Sequence, residues 1–243
     1  NLIAKKERVQ ELVNSNHDSL EIFSDGLPNY RWFDYTAGLI WSQEKFGYGY
    51  FEASCKVPSG KGIWPAMWMF GGFTNQYNVN VSQEIDVFEF WKDRPDNLNM
   101  NVHYDGEACL TDYNGPDFSK EFHTYGLLWE PYKIEWYLDG ELIRTYPRFF
   151  QNGSDVGCVL NAWQPYQETP FPKGKMSLIF NIAVDNREGH KPDNTTLFPS
   201  YYQIDWIRYS VREDLKDFQN SNIFYANIYP NPTENNLFVK FPK

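Results

Sequence analysis

Short runs of alternating apolar and polar residues, broken every few positions by glycine or proline, dominate this sequence and leave little room for helices. The runs fall at 2–7, 37–43, 47–57, 65–71, 83–91, 98–104, 123–129, 133–138, 142–146, 175–184 and 202–210. Turn signals such as PSGKG at 58–62 and LDGE at 138–141 separate them. The best helical period, at 5–14, is short. Many short strands joined by tight turns, with aromatic residues on both faces, predict an all-β fold. Its expected form is a two-sheet antiparallel jelly-roll sandwich, concanavalin-like, with a concave substrate cleft. Two long stretches, 8–34 and 147–174, exceed ordinary hairpin loops and are read as cleft walls or insertions.

A chain of 243 residues is long enough for one large β domain. A net charge of -10 argues against nucleic acid and against an anionic membrane surface, both of which recruit Lys and Arg. A neutral ligand fits better, and a sulfated polymer would need a local basic patch. No apolar run is long enough to span a bilayer, and no partner chain is implied, so a monomer is expected. Three cysteines without close spacing offer no zinc site. Cys55, alternating with Phe51, Ala53 and Val57, reads as a buried thiol, and Cys109 and Cys158 are available for one bridge, which would fit export. The polar stretch 211–222 marks a boundary between a sandwich at 1–210 and a tail at 223–243 that starts alternating again.

The densest chemical signal is EIDVFEF, with Glu84, Asp86 and Glu89 in an otherwise apolar segment. In a regular strand Glu84 and Asp86 share a face and Glu89 points into the core, where an unpaired carboxylate costs several kcal/mol, roughly 2–7 even for a neutral polar group. One extra residue near Val87 and Phe88, a β-bulge, returns Glu89 to the side of the other two acids and turns Ile85 and Phe90 inward. Three carboxyls on one face repel, which raises at least one pKa and suits proton transfer. Carboxyls about 5 Å apart suit a retaining glycosidase, and wider gaps an inverting one.

EIDVFE resembles the ExDxxE signature of glycoside hydrolase family 16, the laminarinase, agarase and carrageenase group. Further segments resemble the family's strands in the family's order: FGYGYFEASCKVPSGKGIWPAMWMFGG at 46–72, NVHYDG at 101–106, FHTYGLLWEPYKIEWYLDGELI at 122–143, MSLIFNIAV at 176–184 and YQIDWIRYS at 202–210. The resemblance implies a retaining endo-hydrolase with Glu84 as nucleophile, Glu89 as acid/base and Asp86 orienting Glu84 and tuning its pKa. It implies no required cofactor. A structural calcium is common in the family, and Asp205 is its lone candidate ligand here. Two departures stand out: family members usually begin with further strands, and the usual AVGG followed by Trp is replaced by AVDNREGHKPDN at 183–194. The stretch YPNPTENNLFV at 229–239 is similar to the start of the C-terminal sorting domain of Bacteroidetes type IX secretion, which implies a secreted or cell-surface protein. The plainer reading of 223–243 is an extra edge strand.

Strand parity selects the sugar-binding candidates. In WPAMWMF, Trp64, Trp68 and Phe70 share one parity, and Met67 and Met69, better core fillers, take the other. Trp91 has the parity of Glu89. Asn101 and His103 share the face of the next strand, with His103 expected near Glu89, and Asn181 lies on the last inner strand. Trp129, Trp136 and Trp206 are read as packing. Endo-hydrolysis of a β-linked polysaccharide, β-1,3-glucan first, is the leading expectation. The alternative is agar, porphyran or carrageenan, whose sulfates would need Arg94, Arg148, Arg187, His190 or Lys191. A non-catalytic carbohydrate-binding module would gain nothing from three repelling acids.

Overall fold

The computed structural model describes residues 1–12, 30–74, 80–91, 93–151, 157–158, 166–211 and 224–226. Among these there is no helix, and the strands are β1 (Leu2–Leu12), β2 (Tyr30–Thr36), β3 (Leu39–Phe46), β4 (Gly49–Lys56), β5 (Ile63–Thr74), β6 (Asn80–Glu89), β7 (Asn97–Tyr104), β8 (Glu107–Ala108) and β9 (Thr111–Asn114). They continue with β10 (His123–Trp129), β11 (Lys133–Leu138), β12 (Glu141–Pro147), β13 (Phe149–Gln151), β14 (Tyr166–Glu168), β15 (Met176–Val184), β16 (Ser200–Ser210) and β17 (Phe224–Ala226).

Two antiparallel sheets face each other as a jelly-roll sandwich. The first runs β12-β11-β10-β4-β16-β1-β2, with β17 also on β16, and the second runs β3-β15-β5-β6-β7-β8, with β9 on β7. Alternation assigns the faces. On β4, Phe51, Ala53 and Cys55 are fully buried, and on β5, Met67 and Met69 enter the core while Trp64, Trp68 and Phe70 remain half-buried on the outer face. β15 sends Met176, Leu178, Phe180 and Ile182 into the same core. Aromatic contacts join the layers, with Phe88 of β6 packed 4.3 Å from Tyr125 of β10 between ring centroids.

The helical period at 5–14 is overturned over the described residues. Residues 5–12 belong to β1, where Lys5 pairs with Thr36 and Gln10 with Trp32 of β2, because a sheet partner supplies hydrogen bonds that an isolated short helix lacks. The two irregular stretches also contain strands: β2 lies partly in the first, and β13 and β14 pair within the second. Residues 13–29, 152–156 and 159–165 lie outside the described residues. So do 212–223 and 227–243, where most of the expected linker and tail fall, and only β17 of the tail is described, paired with β16.

Cys109 and Cys158 form a disulfide, and Cys55 is the buried core thiol that alternation predicts, its pKa pushed up to about 12 by burial. Trp129 and Trp136 are buried as packing residues, whereas Trp206 is half-buried under the Arg208 guanidinium, 4.0 Å from its ring centroid. Trp136 does more than fill space. Its indole N–H crosses from the first sheet and donates to the backbone carbonyl of Asp86 at 2.9 Å. Removing that donor while keeping an aromatic ring leaves a buried carbonyl unpaired. Trp136→Phe is therefore expected to lower unfolding stability by about 1–3 kcal/mol, read from the guanidinium unfolding midpoint.

Candidate active site

The acids sit on β6, and the pairing of that strand decides where they point. Against β5, Trp68 pairs with Asp86 and Met67 with Phe88, so Val87 is an extra residue. Against β7, Asp86 pairs with Asn101 and Glu89 with Asn99, leaving Val87 and Phe88 opposite Met100 alone. This is a bulge at the predicted position. Ile85, Val87, Phe88 and Phe90 join the core, and Glu84 and Glu89 stay half-buried on the outer face beside the buried Asp86.

The first sheet holds the bulge from beneath. Besides the Trp136 bond to Asp86, the buried Arg144 donates to the carbonyl of Met100 at 2.8 Å and to that of Cys109 at 2.7 Å, its guanidinium lying 4.5 Å from the Trp136 ring centroid. Carbonyls next to an irregularity thus keep partners in a place where water is excluded.

Around the acids, side chains from three strands converge. The Trp64 indole donates to Glu89 Oε1 at 2.9 Å, and the Trp68 indole donates to Asn181 Oδ1 at 2.7 Å. Trp91 stacks on Trp64, with ring centroids 5.9 Å apart. His103 Nε2 lies 3.7 Å from Glu84 Oε1, 3.4 Å from Asp86 Oδ2 and 2.9 Å from Asn101 Nδ2. A shallow hollow of about 250 Å³ over this floor is lined by Trp64, Ala66, Trp68, Glu84, Glu89, Asn181 and Ala183.

All nine residues singled out from the sequence therefore meet on one face, with one correction of detail. His103 stands opposite Glu84, not beside Glu89. The bulge absorbs a position of β6 without lengthening β7, so the residue across from Glu89 is Asn99, whose Nδ2 donates to the Glu89 carbonyl at 3.1 Å. Asn99 went unnoticed although it has the parity of Asn101 and His103. Of the five loop groups considered for sulfate, Arg187 reaches the floor, 5.0 Å from the Trp64 and 5.4 Å from the Trp91 ring centroid. Arg94 pairs with Asp96, Arg148 with Glu168 and Lys191 with Glu188.

The crowding has an electrostatic cost. Burial first, then the charge of Asp86, pushes the Glu84 carboxyl up to about 8, against an opposing pull from His103. Burial and then the Glu89 charge hold Asp86 well above the usual carboxylate range. Glu89 is raised by burial, offset first by the Trp64 N–H and further by His103 and Arg187. The three carboxyls therefore interact closely enough to titrate as a unit. Among the described residues, the one group of three metal-ligand side chains is Glu84, Asp86 and His103, whose ligand atoms lie within 4.8 Å of one another. Asp205 is exposed and belongs to no such group.

Comparison with known proteins identifies the family and the fold. The Glycosyl hydrolases family 16 profile matches residues 4–208. Glucan endo-1,3-beta-glucosidase A1 of Niallia circulans is 31% identical over 207 residues, 81% of this chain and 29% of that protein. Kappa-carrageenase of Pseudoalteromonas carrageenovora is 33% identical over 200 residues, 73% of this chain and 47% of that protein. The laminarinase catalytic domain of Thermotoga maritima MSB8 superposes with a TM-score of 0.64 at 27% identity, covering 87% of this chain and 77% of that one. The chain spans less than half the length of the two curated relatives. With a profile match across most of its length and a bulged acid strand at the centre of the matched region, the chain belongs to glycosyl hydrolase family 16.

Proposed function

We propose that the chain is a retaining endo-hydrolase of β-linked glucan, β-1,3-glucan first, with Glu84 as nucleophile and Glu89 as acid/base. The observation that carries this reading is the bulge at Val87, which sets three carboxyls of raised pKa on one aromatic-floored face. In the first step ionised Glu84 attacks the anomeric carbon while Glu89 gives its proton to the departing glycosidic oxygen. In the second, Glu89 takes a proton from water, the water oxygen bonds to the anomeric carbon, and Glu84 is released. Asp86 shares a hydrogen bond with Glu84 and raises its proton affinity, which fits a positioning role. The scheme requires no cofactor, because the carboxyls supply both nucleophile and proton. The names of the glucanase and laminarinase relatives support the glucan.

A sulfated galactan is the second reading, favoured by Arg187 over the Trp64–Trp91 pair. Its charge is already matched, however: Nε and Nη2 both bond to Asp185, at distances of 2.6–3.1 Å. A sulfate would meet a compensated cation, so neutral glucan comes first. We further assign 1–210 to the catalytic sandwich, supported by the profile's end at residue 208, with 211–222 as linker. Secretion is supported by the Cys109–Cys158 bridge, since disulfides persist in oxidising compartments. Type IX export, by way of a sorting domain beginning in 223–243, and action as a monomer complete the proposal.

Three outcomes test the reading. Laminarin should be depolymerised to oligosaccharides faster than agarose, porphyran or κ-carrageenan, by reducing-sugar and product-size analysis; release of monosaccharide alone contradicts endo action. Glu84→Gln should abolish turnover and keep laminarin binding, measured by calorimetric titration, and wild-type turnover would sink the mechanism.

The same variant tests the electrostatics. The folded Glu84 pKa of about 8 exceeds that of an unfolded glutamate, about 4.3, so its proton stabilises the fold below the unfolded value, and that stabilisation is lost as pH rises through the folded one. Glu84→Gln, which never ionises, should thus melt higher than wild type by a margin that grows from pH 5 to pH 9. A margin that is flat with pH would show that Glu84 carries no such penalty. Asp86→Asn removes a charge that raises Glu84, so the acid limb of kcat/KM should move to lower pH as activity falls.

A further inference from the structure

The outer face of the second sheet carries another hollow, of about 460 Å³, beside the one over the acids. Trp41, Lys45, Phe70, Gly72, Ser82 and Ser177 line it. It arises from sequence in a simple way. On β5 the outward positions run Trp64, Ala66, Trp68, Phe70 and Gly72, so the last contributes no side chain where its predecessor contributes a ring. A side chain at Gly72 would start with its Cβ 3.0 Å from the Val81 carbonyl oxygen.

The hollow adjoins the acid site. Phe70 pairs in register with Glu84, and Ser82 precedes Glu84 by two positions on the same face, about 7 Å along the strand. Trp41 of β3 forms the far wall, 6.4 Å edge-on from both Trp68 and Phe70, and is 49% exposed. A strip of aromatic rings therefore leads from the Asn181-anchored Trp68 and from Phe70, opposite Glu84, across β15 to Trp41 on the sheet edge. Among the described residues no ion pair ties down Lys45, and Ser82 is exposed beside it. An exposed indole in one hollow with an ammonium and the exposed Ser82 hydroxyl matches a pyranose, which has apolar faces and a rim of hydroxyls. A partner helix or peptide would need a longer unbroken apolar surface than this hollow provides.

We propose that this hollow is an auxiliary polysaccharide subsite that takes a sugar unit of the same β-glucan outside those held over the acids, with Trp41 as its platform. The inference rests on the β-glucan reading. An endo-acting enzyme grips a long chain on both sides of the bond it cuts, and a platform on the sheet edge, two strands beyond β5, adds to that grip without entering the chemistry.

The test is steady-state kinetics on laminarin with Trp41→Ala and Ser82→Phe, the second filling the hollow while leaving Trp41 in place. Both should raise KM about tenfold, with most of the loss in KM and not in kcat. Trp41→Phe, which keeps a ring, should recover most of the affinity. Tyr132→Ala, which removes an exposed aromatic between β10 and β11, serves as the control and should leave KM unchanged. An unchanged KM in both hollow variants overturns the subsite, as does a loss that falls on kcat. If wild type fails to cut laminarin at all, the glucan reading itself fails, and the two failures are thereby distinguished.

Discussion

A single additional backbone residue, Val87, determines whether this sandwich can carry chemistry. The β6 strand lies in the middle of its sheet, and an extra residue there breaks the ladder on both sides. Such a break is tolerated only when the backbone groups it displaces find partners, since each buried unpaired group costs about 1–3 kcal/mol. The partners come from the opposite sheet: the Trp136 indole on the Asp86 carbonyl and the Arg144 guanidinium on the Met100 carbonyl facing the bulge. Core and active site are therefore not separable regions. The first sheet fixes a distortion in the second, and the distortion aims Glu89.

The electrostatics follow from that placement. Three carboxyls at the surface of a water-excluding layer raise one another's proton affinity, and the surroundings then distinguish them. Glu89 has a donor, the Trp64 N–H, and a nearby cation in Arg187, whereas Glu84 faces buried Asp86 and gains only His103. Each carboxyl would be cheaper to keep as a neutral amide, so the fold bears a standing penalty at neutral and alkaline pH. Placing the cluster on a strand backed by Phe88, Phe90 and Tyr125 sets that penalty against an aromatic cluster of the core.

Much of this was legible in the chain, and the reasons differ from residue to residue. The bulge could be inferred because regular alternation would bury Glu89, an outcome with a prohibitive energy; a steep cost makes a sequence informative. The outward aromatics of β5 were legible because Met67 and Met69, at the opposite parity, claim the core. His103 was misplaced because register across a bulge depends on which strand absorbs the extra residue, and no local pattern in NVHYDG records that. β1 beyond residue 7 was read into the irregular stretch 8–34, with only a short helical period at 5–14, because its apolar spacing is ambiguous, and the deciding influence, pairing with β2, comes from residues eighteen or more positions away. Trp41 was not picked out because LIWSQEKF gives no chemical cue, and its importance appears only when β15 sets β3 beside Trp68.

Reaction and specificity are thus encoded in different kinds of element. The acids, their bulge and its supports lie on central strands, where neighbours on both sides and beneath leave each residue few alternatives. The groups proposed to meet the polymer away from the acids lie on an edge strand, Trp41 of β3, or on the loop after β15, where Asp185 orients Arg187 over Trp64. An edge or a loop can exchange such residues without disturbing the ladder that aims Glu89. The bond breaking proposed for this chain therefore rests on a six-residue motif held by central strands, whereas the positions proposed to meet its polymer, Trp41 and Arg187, are recognised by what the fold sets next to them.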